Sequence, residues 1–107
     1  MVKSKEHFLH CQKYIKKTHK HLDYACGPGT FIGNYLKSNS IGVDISINQI
    51  KYAKQTYPEY NFYSLSEFDI SDSGPFDTIT VLGLLEYLSD DEIHKLVKIL
   101  LSNLKQG

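Results

Sequence analysis

Apolar positions recur along this chain in two rhythms, one helical and one of short dense runs. Residues 5–17 place Phe8, Cys11, Gln12 and Ile15 on one face with lysines opposite, which predicts a helix. Residues 20–25 read as a short strand ending in a glycine-rich turn. Helical spacing returns at 30–38, where Phe31, Ile32, Tyr35 and Leu36 share a side. "IGVDIS" (41–46) has the β-branched content of a second strand. Ser46 and Gln49 then form a capping-box pattern, opening a helix with Ile47, Ile50, Tyr52, Ala53 and Lys54 that ends before Pro58.

"NFYSL" (61–65) predicts a third strand, and 66–75 a loop with room for one helical turn. Residues 77–82 predict a fourth strand, so apolar that burial on both faces is expected. A second capping box, "SDDE" from Ser89 to Glu92, starts a helix that runs to about residue 104. Its stripe of Ile93, Leu96, Val97, Leu100, Leu101 and Leu104 is the cleanest in the chain, with Gln106 and Gly107 as the expected C-cap.

Strands alternating with helices over short connections predict an α/β protein with a parallel sheet and helices on both faces. Ligands of such sheets bind beyond the carboxyl ends of the strands, where strand order reverses. The turn after the first strand is that point.

Composition narrows the function classes. The 107 residues fit one domain, and 41% hydrophobic with 22% charged residues is ordinary for a soluble fold. Twelve basic residues balance twelve acidic ones. Lys13, Lys16, Lys17 and Lys20, with His19 and His21 between them, read as a solvated helix face and linker. A nucleic-acid surface normally carries a larger basic excess. Cys11 and Cys26 form neither a disulfide framework nor a metal motif, which leads us to expect a reducing, cytoplasmic setting. No run approaches the ~20 apolar residues of a membrane span, and "MVKSKEHF" lacks the apolar core of a signal peptide. The histidines His7, His10, His19, His21 and His94 show no metal-ligand spacing, and no metal is expected.

The chemistry concentrates in "LDYACGPGTFIGNYL", residues 22–36. Gly27 and Gly29 permit backbone angles that other residues avoid, and the helix starting near Thr30 aims free amides at the same spot. A tight turn with no ligand is the plain alternative. The dinucleotide fingerprint G-x-G-x-x-G fails in both frames: its third glycine falls on Ile32 or on Thr30, and Gly33 is one residue late. An acid followed by small residues at every second position fits instead, at Asp23, Ala25, Gly27 and Gly29.

That pattern resembles the first motif of the class I S-adenosylmethionine-dependent methyltransferases, an acid followed by G-x-G-x-G, with Ala25 in place of the first glycine. "GVDIS" is similar to the family's second strand, whose terminal acid binds ribose hydroxyls. Asp44 falls there, 15 residues after Gly29, with a helix-capping acid as the alternative reading. "PFDTITVLGLLEYL" is similar to the fourth-strand segment: Phe76, Asp77, Ile79, Leu85, Glu86 and Leu88 match, and Tyr87 stands where His is frequent.

The resemblance implies a three-layer α/β/α Rossmann-like fold, here with about four parallel strands ordered 3-2-1-4. It implies S-adenosylmethionine as cofactor, held by Asp23, Ala25, Gly27, Gly29 and Asp44, with Ser66 or Glu67 toward the adenine and Leu82 at the end of the fourth strand. Asp69 is a third polar candidate in that loop. Cys26 is read as a small turn residue, and Glu86 and Tyr87 as acceptor-orienting or helix-capping groups; no catalytic residue is assigned.

The family's sheet has seven strands, so residues 20–107 read as its cofactor-binding half, preceded by an N-terminal helix and linker at 1–19. We expect this stretch alone to be inactive, its acceptor to be a small molecule, and its apolar fourth strand to invite self-association at an open edge. A non-catalytic cofactor-binding or protein-interaction module is the alternative, and a dinucleotide enzyme the next.

Overall fold

The computed structural model describes residues 5–82 and 84–105. Helix α1 (Lys5–Gln12) leads into β1 (His21–Tyr24), a π-helix (Phe31–Leu36), β2 (Ile41–Asp44), α2 (Ile47–Thr56), β3 (Asn61–Ser64), the single-turn α3 (Ile70–Ser73) and β4 (Thr78–Val81). A 3-10 turn (Leu85–Tyr87) precedes α4 (Asp90–Ser102). The four strands form one sheet ordered β3-β2-β1-β4. Every pairing is parallel, with Asp23 opposite Gly42 and Thr80, and Val43 opposite Tyr63. The expected α/β fold, its strand order included, is therefore the observed one.

Alternation along β1 divides the core. Leu22 and Tyr24 face one way, joining Ile41, Val43, Phe76 and Ile79, with Ile70 of α3 packed on them. His21 and Asp23 face the other way, toward α1, the π-helix and α2. There Phe31 stacks on Phe8, and Phe62 packs with Ile32, Ile50 and Ala53.

Several boundaries differ from the pattern-based expectation. The first helix stops at Gln12 rather than 17, because three consecutive i→i−3 bonds, from Lys13, Tyr14 and Ile15, tighten its end into a turn. The Gln12 amide donates to the Tyr35 carbonyl (2.8 Å), docking that end on the π-helix. Ile15 is still buried, from the turn that follows. The segment expected as an ordinary helix at 30–38 is wider: the Lys37 N–H reaches back five residues to Ile32 O (2.8 Å). Gly33 explains its close seat, since a Cβ there would lie 2.2 Å from the Tyr57 ring.

Ser46 caps α2 as expected by accepting from the Gln49 N–H (3.3 Å). The reciprocal half of that box belongs to another residue, because the Ser46 N–H donates to Asp44 (2.9 Å). In α4 the box is complete: Ser89 and Glu92 each accept from the other's backbone N–H.

Two burial expectations are corrected. β4 is half-buried along its whole length rather than buried on both faces, because it is an edge strand. His21 is no part of a basic surface: it is a β1 residue with no exposed area. The α4 stripe is also only partly covered. Leu100 is buried, whereas Leu101 is 61% exposed. The end of α4 is tied to the sheet by Phe76, which donates to Asn103 O (2.7 Å) and accepts from the Lys105 N–H (2.8 Å). Asn103 caps the helix, and Gln106 and Gly107 lie outside the described residues.

Candidate functional site

The parallel sheet brings the carboxyl ends of its strands to one edge, and the first-strand turn lies there. Three of its residues adopt left-handed backbone: Ala25 (φ 65), Gly27 (φ 58) and Gly29 (φ 85). Ala25 does so against the Cβ clash that normally reserves this region for glycine. Gly29 is needed twice, since a Cβ would also lie 2.8 Å from Phe62. Gly27 differs: its Cβ position meets no atom within 4 Å, so the turn is open at that residue.

Asp44 at the end of β2 fastens the turn. One carboxylate oxygen accepts from the Gly27 N–H (2.8 Å) and the other from the Ser46 N–H (2.9 Å). A carboxylate has about four acceptor sites, so each oxygen retains one. The Cys26 N–H closes the turn from the other side by donating to Val43 O (2.9 Å).

Beside the turn lies a crevice of about 410 Å³. Tyr24 and Ala25 from β1, Val43, Asp44 and Ile45 from β2, and Leu65 after β3 form its floor and one wall. Leu84 and Leu88 close one side, and Glu92, Lys95, Leu96 and Ile99 of α4 form the far wall. The lining is apolar apart from Asp44, Glu92, Lys95 and the Tyr24 hydroxyl. Burial, and next the nearby Asp44 charge, raise the Tyr24 phenol above its usual range.

Of the eight residues singled out from the sequence, Ala25 and Asp44 line this crevice, and Gly27 and Gly29 shape the turn at its rim. Asp23 lies beneath the turn, fully buried, accepting from the Thr80 hydroxyl (2.8 Å). Ser66 and Glu67 are exposed on the loop after β3. Ser66 shares a hydrogen bond with Ser64 (3.1 Å), and the Glu67 N–H donates to Ser64 O. Asp69 caps α3 through the Ser71 N–H, and the Ser71 hydroxyl, followed by that backbone bond, holds its carboxyl below the usual range. Leu82 packs on the opposite layer, against Phe8, Phe31 and Leu36. Tyr87 is 67% exposed and Glu86 is exposed beside it.

Sequence reasoning missed Tyr24, Ile45, Leu65, Leu84 and the α4 residues of the crevice. Tyr24 and Ile45 had a signal, since each adjoins a singled-out residue at a strand end. The α4 residues had none, because only the packing of that helix brings them across. Among the described residues, no cluster of three or more His, Cys, Asp or Glu side chains could hold a metal ion. No described helix is long and apolar enough to cross a membrane.

Comparison with known proteins converges on one family. The sequence profile of the family described as "Methyltransferase domain" matches residues 22–107. The uncharacterized protein RP028 of Rickettsia prowazekii (strain Madrid E) is 34% identical over 94 residues, covering 78% of this chain and 38% of that protein. PKMT2 from Rickettsia typhi, solved in complex with AdoHcy, superposes with a TM-score of 0.63 at 30% identity, over 83% of this chain and 19% of that one. A TehB-like SAM-dependent methyltransferase from Corynebacterium glutamicum gives 0.59 at 30% identity, over 76% of this chain and 46% of its own. The chain thus spans less than half the length of each of these relatives.

Proposed function

This chain belongs to the class I S-adenosylmethionine-dependent methyltransferases, and from that premise we propose that its crevice holds the cofactor and that the whole protein methylates a small-molecule acceptor. The observation that carries the reading is the joint between Gly27 and Asp44. An open glycine and an acid with spare acceptor sites stand at one edge of a largely apolar cleft.

The residues fit the group. The remaining Asp44 acceptor sites suit a ribose diol, and the exposed Ile45 beside it suits the flat face of a base. Ser66 or Glu67 serves the adenine amino group, and the open side of Gly27 lets the ligand approach the main chain. Asp23 supplies fixed negative charge beneath the turn, which favours a cationic ligand. Gly29 and Ala25 set the turn's path, and Leu82 packs in the opposite layer, on the cluster of Phe8, Phe31 and Leu36. When bound, S-adenosylmethionine supplies an electrophilic methyl group on a sulfonium; the protein's share is position and electrostatics. No nucleophilic side chain is required for that.

Residues 20–107 are read as the cofactor-binding part of the domain and 1–19 as its leading helix and linker. On that division the chain alone is silent in methyl transfer. Among the described residues no strand pairs with the outer edge of β4, which supports self-association, and two free thiols suit a cytoplasmic setting.

Isothermal titration calorimetry with S-adenosylhomocysteine, with NAD in parallel, tests the reading. We expect micromolar or weaker binding of S-adenosylhomocysteine and none of NAD. Asp44→Ala should lose affinity at least tenfold (about 1.4 kcal/mol). It should also lower stability by about 1–2 kcal/mol, since it frees two backbone amides. Absence of heat and of any amide chemical-shift change at Gly27 at millimolar ligand would defeat the reading.

A further inference from the structure

Beneath the glycine turn runs a buried chain of polar side chains, of which the cofactor reading uses only Asp23. Asp23 and His21 have no exposed area, and Ser40 only 1%. The Thr80 hydroxyl donates to Asp23 Oδ1 (2.8 Å). Its single hydrogen is then spent, so at His21 Nε2, 2.8 Å away, it can only accept. That makes Nε2 the protonated ring nitrogen and Nδ1 an acceptor. Ser40 Oγ, 2.9 Å from Nδ1, must therefore donate. Every proton position in the series follows from the first bond. Three elements contribute: Ser40 precedes β2, His21 and Asp23 belong to β1, and Thr80 belongs to β4.

We infer that Thr80 and His21 are positioning residues for the cofactor site, holding the Asp23 carboxylate in one rotamer under the turn through the ordered series Ser40 to His21 to Thr80 to Asp23. This deepens the cofactor reading and rests on it. Neither residue lines the crevice; both act through Asp23. Phe31, edge-on to the imidazole at 6.0 Å, fixes the ring plane. Burial, and next the neighbouring His19, lower the His21 imidazole to about 4, consistent with a neutral ring that has one donor and one acceptor. A rotamer fixed before binding costs no ordering when the ligand arrives. Placing the polar series in the sheet rather than in a loop makes it rigid.

The test pairs two readouts. Long-range ¹⁵N–¹H correlation on the unliganded chain reports the His21 tautomer: a proton on Nε2 is expected, and a proton on Nδ1 overturns the series. Thr80→Val keeps the side-chain shape and removes the hydroxyl, whereas Thr80→Ser keeps the hydroxyl. We expect Thr80→Val to weaken S-adenosylhomocysteine binding about tenfold, the scale of one hydrogen bond to a charged group. Thr80→Ser should stay within about threefold of the unaltered chain. A merely structural threonine would lower the melting temperature of Thr80→Val and leave the affinity of the folded fraction unchanged; that outcome overturns the inference. Failure of the unaltered chain to bind defeats the cofactor reading instead, and the tautomer still decides whether the series exists.

Discussion

The two faces of the sheet are built to different standards. On the side of α1, the π-helix and α2, Phe31, Ile32, Ala53 and Phe62 have 2% exposure or less. On the other side stands α4, whose apolar stripe is the most regular in the chain. Yet Val97, Ile99 and Leu101 are exposed there and only Leu100 is buried. Periodicity states which side of a helix favours removal from water. Whether anything removes it depends on neighbouring elements: on this side the sheet's own Leu22, Val43 and Phe76 are fully buried, but among the described residues nothing covers the outer part of the helix stripe. The crevice follows from the difference. It occupies the space between the sheet and a helix anchored chiefly at its far end, where Phe76 bonds to Asn103 and Lys105.

Substitutions at matched sites can break this comparison. The largest effect is expected at Phe62, where Phe62→Ala should cost about 3–5 kcal/mol by urea denaturation. Leu101→Ala, on the open face, should stay within about 0.5 kcal/mol. Equal losses at the two sites would erase the distinction.

The next effect is on pH dependence. His21 on the covered face binds its proton near pH 4 when folded and near 6.5 when unfolded. Between those values the unfolded chain holds more protons, so stability is full above about pH 6.5 and falls as pH drops toward 4. The total is about 3 kcal/mol. Urea midpoints collected at half-unit intervals should trace this slope. His21 proton resonances that titrate near pH 6.5 in the folded chain would contradict it.

A smaller effect sharpens the comparison at the seam between the faces. Ala25 holds a left-handed conformation at φ 65. Ala25→Gly relieves that strain but adds unfolded-state entropy, for a net gain of about 0.5–1 kcal/mol. A lower melting temperature for this variant would mean that the alanine methyl contributes more in packing than its backbone costs.

How far the sequence carried depended on the range of the interaction that decides each feature. The strand order came with the family resemblance, since the pairing of β1 with β4 joins residues nearly sixty apart. The strands themselves and the glycine turn were legible, because β-branched runs and the Asp23 to Gly29 spacing are local signals. The Ser89–Glu92 box was legible for the same reason. The Ser46 box was half legible: the serine caps, but Asp44 takes the amide that Gln49 was expected to bind. The π-helix was hidden because its extra residue answers to Tyr57, some twenty residues away, seated against Gly33. His21 looked like part of a basic stretch. Its true environment comes from Ser40 and Thr80, which only the pairing of β2 and β4 with β1 brings near. Leu82, counted as the end of the fourth strand, lies one residue beyond it, since β4 ends at Val81, and it packs on the Phe31 side, away from the crevice.

The bond between Asp44 and the Gly27 amide also governs what the turn rejects. Glycine turns that cradle a pyrophosphate do so with unspent backbone N–H groups and no nearby anion. Here the Gly27 N–H is already spent, and the group that holds it carries the same sign as a phosphate. An incoming phosphoryl oxygen would have to displace a carboxylate and then remain beside it. Hydroxyls and cations meet no such penalty. On the proposed cofactor reading, one aspartate thus makes the turn selective by repulsion as much as by attraction, setting nucleosides with a positive tail apart from nucleotides with a negative one.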